Sequence, residues 1–275
     1  MNIGIHASKN NNTLSNSINM YIKMGLISVQ YFTHGPRGYN SINMDYSSIK
    51  RLKINKYVHS SYISSMCNTK TKIRNHIIDQ FVSSNNTGSK GVVLHMPKKI
   101  NKEIADSVLE IYNTLNEKKI SNQLIILEMT AVKPDKTKSY ESPDKINNLI
   151  LELKSRGLTH KSVGICIDTA HIYAGKAKIR TYKDSMLYLK SLDYPEWICL
   201  IHLNGNEYDS KIRAGDKHAL PLDSKDKIWN NISYKRSGCR GFVEWAVSRN
   251  IDIILEIKSH HTNKNVLDFI KKTKI

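Results

Sequence analysis

LIILE, residues 124–128, is a short apolar run closed by a carboxylate, and the fold is read from its recurrence. The same figure returns in GVVLH (91–95), closing on His95, and in VGICID (163–168), closing on Asp168. It returns again in ICLIHLN (198–204), which carries His202, and in IDIILEI (251–257), which carries Glu256. Strand after strand bringing His, Asp or Glu to one rim is how a parallel barrel assembles a site for several metal ions.

Three further runs complete the set: NIGIHA (2–7), LISVQYF (26–32) and YVHSS (57–61). Apolar, β-branched segments alternating with helix-like ones imply βα units around a parallel sheet, and eight strands close a barrel. The intervening helices are expected over 13–24, 47–53, 69–82, 102–117, 142–156, 182–191 and 241–249. Ser142 is placed as an N-cap before the first-turn Pro143. The expectation is α/β: a single (β/α)8 TIM barrel spanning 1–275, with its active site at the carboxyl face of the strands. The longest connection, Asn204 to Asn231, carries Asp216 and His218, and long βα loops on that face are where barrel sites are completed.

A length of 275 residues suits one such barrel, and 40% hydrophobic with 24% charged residues is a globular composition. No apolar stretch approaches the roughly 18 residues that span a bilayer, and the first residues lack a continuous apolar secretory core. The chain is therefore expected inside a cell. Cys67, Cys166, Cys199 and Cys239 form no C-x-x-C pair and read as reduced thiols. The formal charge of +18 suggests a polyanionic partner, nucleic acid above all, although abundant Lys throughout is also compatible with charge scattered without a binding purpose.

The metal-ligand candidates are His59, His95, Glu128, Asp168, His171, His202, Asp216, His218 and Glu256, each at a strand end or in the loop that follows. One strand-end histidine is usually a hydrogen-bonded rim residue. So many imidazoles and carboxylates at one rim would cost several kcal/mol in repulsion and desolvation unless cations sat among them. Imidazole plus carboxylate without thiolate suits Zn²⁺ or Mn²⁺ in open hydrolytic sites. In D-T-A-H the spacing lets Asp168 and His171 face neighbouring ions, and in D-K-H alternation puts Asp216 and His218 on one side of an extended segment.

Taken in order, GIHAS, FTHGPRGYN (32–40), HSSY (59–62), VLHMP (93–97), ILEMTA (126–131), VGICIDTAHIYAG (163–175), IHLNGNE (201–207), AGDKHA (214–219) and IILE (253–256) resemble the motifs of endonuclease IV. These are the zinc-dependent apurinic/apyrimidinic endonucleases, and the likeness is strongest to versions from large DNA viruses. The resemblance implies three Zn²⁺ ions, with Mn²⁺ able to take one position. His59 and His95 would hold the first ion, with Glu128 bridging to a second held by Asp168, His202 and Glu256. His171, Asp216 and His218 would hold the third. Glu128 and Glu256 become the catalytic carboxylates, placed beside the attacking hydroxide. Arg37, Tyr62 and Ile63 fall where the family inserts side chains into DNA. The family's Glu-Asn-Thr is Glu128-Met129-Thr130 here, its His-Leu-Asn-Asp ends on Gly205, and its Gly-Glu-Gly after Asp-x-His is Leu-Pro-Leu. These departures bear on rate and substrate preference more than on metal count.

The implied reaction is hydrolysis of the phosphodiester 5′ to abasic sites in duplex DNA, giving a 3′-hydroxyl and a 5′-deoxyribose phosphate, with trimming of blocked 3′ ends. The chain would act as a monomer with no membrane partner; for a viral protein the host cytoplasm or nucleus and the virion are the expected locations. Two rivals remain: a single-metal xylose-isomerase-like sugar isomerase or epimerase using Glu128, Asp168, His202 and Glu256 alone, and a non-catalytic protein that binds DNA lesions.

Overall fold

Strand pairing runs in chain order around a closed parallel barrel. The computed structural model describes residues 3–8, 13–97, 103–131, 141–210, 215, 217–257 and 263–273. The barrel strands are β1 (Ile3–His6), β2 (Ser28–Phe32), β3 (Asn55–His59), β4 (Gly91–His95), β5 (Leu124–Glu128), β6 (Val163–Asp168), β7 (Ile198–His202) and β10 (Asp252–Leu255). Between β7 and β10, β8 (Gly205–Asn206) and β9 (His218–Ala219) make a separate antiparallel ribbon. The α/β barrel expected from the alternating runs is the fold found.

The helices are α1 (Leu14–Lys23), α2 (Tyr46–Arg51), α3 (Thr71–Thr87), α4 (Ile104–Glu117), α5 (Pro143–Ser155), α6 (Thr169–Ala174), α7 (Tyr182–Lys190), α8 (Gly238–Ser248) and α9 (Asn263–Thr273). Local chemistry sets several ends. Thr181 and Asp184 form a capping box at the start of α7, and Gly88, at φ 66°, ends α3 in the left-handed conformation. Ser142 stands at the N-cap of α5 but makes no side-chain capping bond. Helix α3 runs past the expected Val82 because Ser83, Ser84 and Thr87 are small enough to pack inward. Their hydroxyls stay partnered, Ser84 donating to Gln123 Oε1 at 2.6 Å and Thr87 to the Ser84 carbonyl at 2.9 Å. Helices α6 and α9 were not expected: α6 is too short for a periodicity, and α9 is mostly polar, with Val266 and Phe269 as buried apolar contacts.

Two apolar layers result. The larger lies between strands and helices, while Tyr57, Val93, Ile126, Cys166, Leu200 and Ile254 fill the barrel interior, one from each of six strands. Side chains alternate along a strand, so the next inward residue is two further on. That step reaches His59, His95, Glu128, Asp168, His202 and Glu256. The apolar layer is thus the floor on which the polar ring stands. All four cysteines are free, and no helix among the described residues is long and apolar enough to cross a membrane.

Candidate metal centre

Among the described residues, three groups of ligand-type side chains meet at the carboxyl end of the barrel. They are His59, His95 and Glu128; then Glu128, Asp168, His202 and Glu256; then Asp168, His171 and His218, with the ligand atoms of each group within 4.8 Å of one another. Glu128 Oε2 lies 2.9 Å from His95 Nε2 and 3.2 Å from His59 Nε2, while its Oε1 lies 2.9 Å from His202 Nδ1. Glu128 therefore faces two groups with different oxygens. Asp168 is also shared: its Oδ2 is 3.7 Å from His202 Nδ1, 3.6 Å from His218 Nε2 and 4.0 Å from His171 Nε2. The D-T-A-H spacing does not separate Asp168 from His171, because Asp168 caps α6 by accepting the His171 N–H at 3.0 Å and the first turn folds the imidazole back. Asp216 lies outside the described residues.

The imidazoles are anchored on one nitrogen and aimed with the other. His59, His171 and His218 donate Nδ1–H to the carbonyls of Ser60, Met129 and Glu256 at 2.7, 2.5 and 3.2 Å. A carbonyl only accepts, so each Nε2 is left with its lone pair turned towards a carboxylate. His202 is held the other way round. Gln30 donates through Nε2 to Glu256 Oε1 at 2.6 Å, which presents its Oε1 to His202 Nε2–H at 2.9 Å. The His202 Nδ1 lone pair then points among Glu128, Asp168 and Glu256. Lone pairs facing carboxylates repel unless a proton or a cation stands between them, and anchoring the far nitrogen is how metal-binding histidines are oriented. The donor set fits a divalent cation of the Zn²⁺ type.

Glu128, Asp168 and His202 are fully buried, while His95, His218 and Glu256 keep 27%, 16% and 12% of their side chains exposed towards the opening. Among the described residues, the ion-pair partners of these three carboxylates are all histidines. Burial raises the Glu128 carboxyl, but His202 and His95 outweigh it and hold the group well below the usual range. For Asp168 burial prevails and its pKa is raised. Burial would lower His202, yet Glu256, Glu128 and Asp168 lift it to about 9. The centre wants positive charge that no Lys or Arg among the described residues supplies.

No protein-family model matches the sequence. Among curated proteins it is 29% identical over 267 residues to a probable AP endonuclease of African swine fever virus, covering 88% of this chain and 85% of that one. The crystal structure of AsfvAP:AG superposes with a TM-score of 0.79 at 24% identity, covering 98% of this chain and 95% of that one. Endonuclease IV from Thermus thermophilus gives 0.73 at 18% identity, with 99% and 97% covered. The chain is similar to these viral proteins along most of its length, and it shares its fold with the Thermus enzyme. A xylose isomerase domain protein from Salmonella typhimurium shares the barrel as well, at 0.71 and 12% identity over 99% and 95%, and at such identities likeness speaks for the fold alone.

The positions expected to meet DNA lie on two neighbouring loops. Tyr62 is 56% exposed and stands over the ring, its centroid 5.7 Å from His59 and 5.5 Å from His95. Its N–H donates to the Pro36 carbonyl at 2.8 Å, which joins it to the turn carrying the exposed Arg37; Ile63 beside it is half-buried. Sequence reasoning missed the residues that hold the ligands. Gln30, His6 and Asn204 are three. Asn204 donates Nδ2–H to Asp168 Oδ2 at 2.7 Å and accepts the Glu256 N–H at 2.8 Å, and His6 Nδ1 accepts from Gln30 at 3.0 Å. Gln30 had a signal, a primary amide inside the apolar run LISVQYF, and His6 closes NIGIHA by the same figure as the ligands.

Proposed function

We propose that this chain is a zinc-dependent DNA repair endonuclease that hydrolyses the phosphodiester on the 5′ side of an abasic site in duplex DNA. It leaves a 3′-hydroxyl and a 5′-deoxyribose phosphate, and it also trims blocked 3′ ends. The observation that carries the reading is the sharing of Glu128 and Asp168 between adjoining donor groups, which suits several ions side by side. His59, His95 and Glu128 would hold one; Glu128, Asp168, His202 and Glu256 a second; His171, His218 and Asp216 a third. Bound divalent cations supply Lewis acidity, neutralising charge on the phosphodiester and lowering the pKa of water at the site.

The rest is work for the chain's own residues. Gln30 and Asn204 keep His202, Asp168 and Glu256 in register, so little reorganisation accompanies the reaction. Glu256, bound by Gln30 on one oxygen and partly exposed, is placed to accept a proton at the other. Tyr62, Ile63 and Arg37 fill the gap left when the abasic nucleotide turns out of the stack. A nucleotide without a base surrenders no pairing or stacking, whereas an intact one costs a few kcal/mol, and this difference gives selectivity. The charge of +18 adds sequence-independent attraction to phosphate that weakens with salt.

The test is nicking of duplex DNA carrying a tetrahydrofuran abasic analogue, which cannot undergo β-elimination. A cut on its 5′ side that stops with chelator and returns with Zn²⁺ is expected; an uncut strand at stoichiometric protein refutes the proposal. A sugar isomerase would use Glu128, Asp168, His202 and Glu256 and give His59, His95, His171 and His218 no task. A metal ratio near one per chain would favour it.

A further inference from the structure

The connection from Asn204 to Asn231 is anchored by a residue outside the ligand set. Asp226 is fully buried, and its carboxylate gathers four backbone N–H groups. Asn206 and Ile228 donate to Oδ1 at 3.2 and 2.8 Å, and Leu222 and Trp229 to Oδ2 at 2.9 and 3.3 Å. Charge-assisted bonds of this kind are stronger than neutral ones, and here they hold Leu222 in the left-handed region at φ 65°. The carboxylate fits only because residue 205 is glycine: a Cβ there would stand 2.6 Å from Asp226 Cγ.

Gly205 and Asn206 are one side of the β8–β9 ribbon, and Asn206 lies directly opposite His218. Asn206 also accepts the N–H groups of Tyr208 and Lys217 at 2.9 and 3.4 Å and donates to the Gly215 carbonyl at 3.0 Å. One carboxylate thus sets the backbone from which His218 reaches Asp168 and His171.

We infer that Asp226 occupies the space opened by Gly205 and is the positioning residue that registers the ribbon, and with it the cation bound by His218. The inference rests on the several-ion reading above. Its test is Zn²⁺ per chain, by elemental analysis of reconstituted and desalted protein, with circular dichroism to follow folding. The native chain is expected to hold about three ions. Asp226→Gly is expected to lose one, and Gly205→Ala to lose the same one by displacing the carboxylate. The double variant Gly205→Asp/Asp226→Gly, which returns a carboxylate to the same space from residue 205 itself, is expected to regain it. A native ratio of three that survives in Asp226→Gly overturns this inference alone, whereas a native ratio near one overturns it together with the several-ion reading. Should Asp226→Gly fail to fold, the double variant decides: folded with the full complement supports the inference, and unfolded or one ion short overturns it.

Discussion

At the amino end of the barrel the buried Asp252 carboxylate accepts from Tyr57 Oη at 2.7 Å, from Asn55 Nδ2 at 2.9 and 3.1 Å and from Lys90 Nζ at 2.9 Å, whereas at the carboxyl end Glu128, Asp168 and Glu256 face imidazoles. Both ends bury carboxylates within one cylinder of strands. The amino end brings its own permanent cation and donors for both carboxylate oxygens, so its charge is answered within the fold. The carboxyl end has histidines whose protons can be displaced and, among the described residues, no Lys or Arg paired with its carboxylates. Burying ionised carboxylates is tolerable only when they are paired, so one end contributes stability and the other recruits charge from solution.

The sharpest way to break this contrast is Glu128→Gln, which removes the carboxylate common to two donor groups. Nicking is expected to fall about 10³-fold or more, since metal catalysis is worth several kcal/mol, with circular dichroism unchanged and zinc content reduced. Retained activity would show that the assigned centre is not the active one. Asp252→Ala is the mirror experiment. It strands the Tyr57 hydroxyl and Asn55 amide and is expected to cost about 1–3 kcal/mol in urea denaturation, with zinc content unaltered. Lys90 is 48% exposed and adds little to that loss.

A pH series sharpens the comparison further. His202 is raised to about 9 in the fold from an ordinary 6.5, so its protonated form stabilises chelator-treated protein fully below pH 6.5, and that stability is lost as pH rises towards 9. The melting temperature of chelated protein is expected to drop by several degrees across that window, while zinc-loaded protein, with a cation in place of the proton, shows no such drop. Parallel curves would mean that metal and proton do not compete. The smallest effect is expected from Tyr62→Ala, which removes an exposed ring that binds no metal. Affinity for abasic duplex should weaken about tenfold, in line with one lost stacking contact, at constant zinc content.

The barrel was legible because each strand is a compact apolar run and the period of two is local. The same period explains why strand-end ligands could be picked out: Glu128 follows Ile126 inward as His202 follows Leu200. Helix α6 was less legible, since its six residues are shorter than a periodicity and its cap, Asp168, doubles as a ligand candidate. Gln30 and Asn204 were overlooked because their role lies in bonds to residues far along the chain, His202 for the one and Glu256 for the other. Asp226 gave no sign at all, since its meaning depends on the missing side chain at Gly205.

By itself the sequence determined the strand set, the parity that turns His, Asp and Glu inward, and the charge that favours a polyanion, all consequences of alternation and composition. Only the tertiary structure decided which oxygen of Glu128 meets which imidazole, that Asp168 stands between two groups, and which nitrogen of each histidine is spoken for. Those choices depend on closure of the barrel, which brings side chains more than a hundred residues apart within hydrogen-bonding range, and a one-dimensional pattern has no term for distance across that ring.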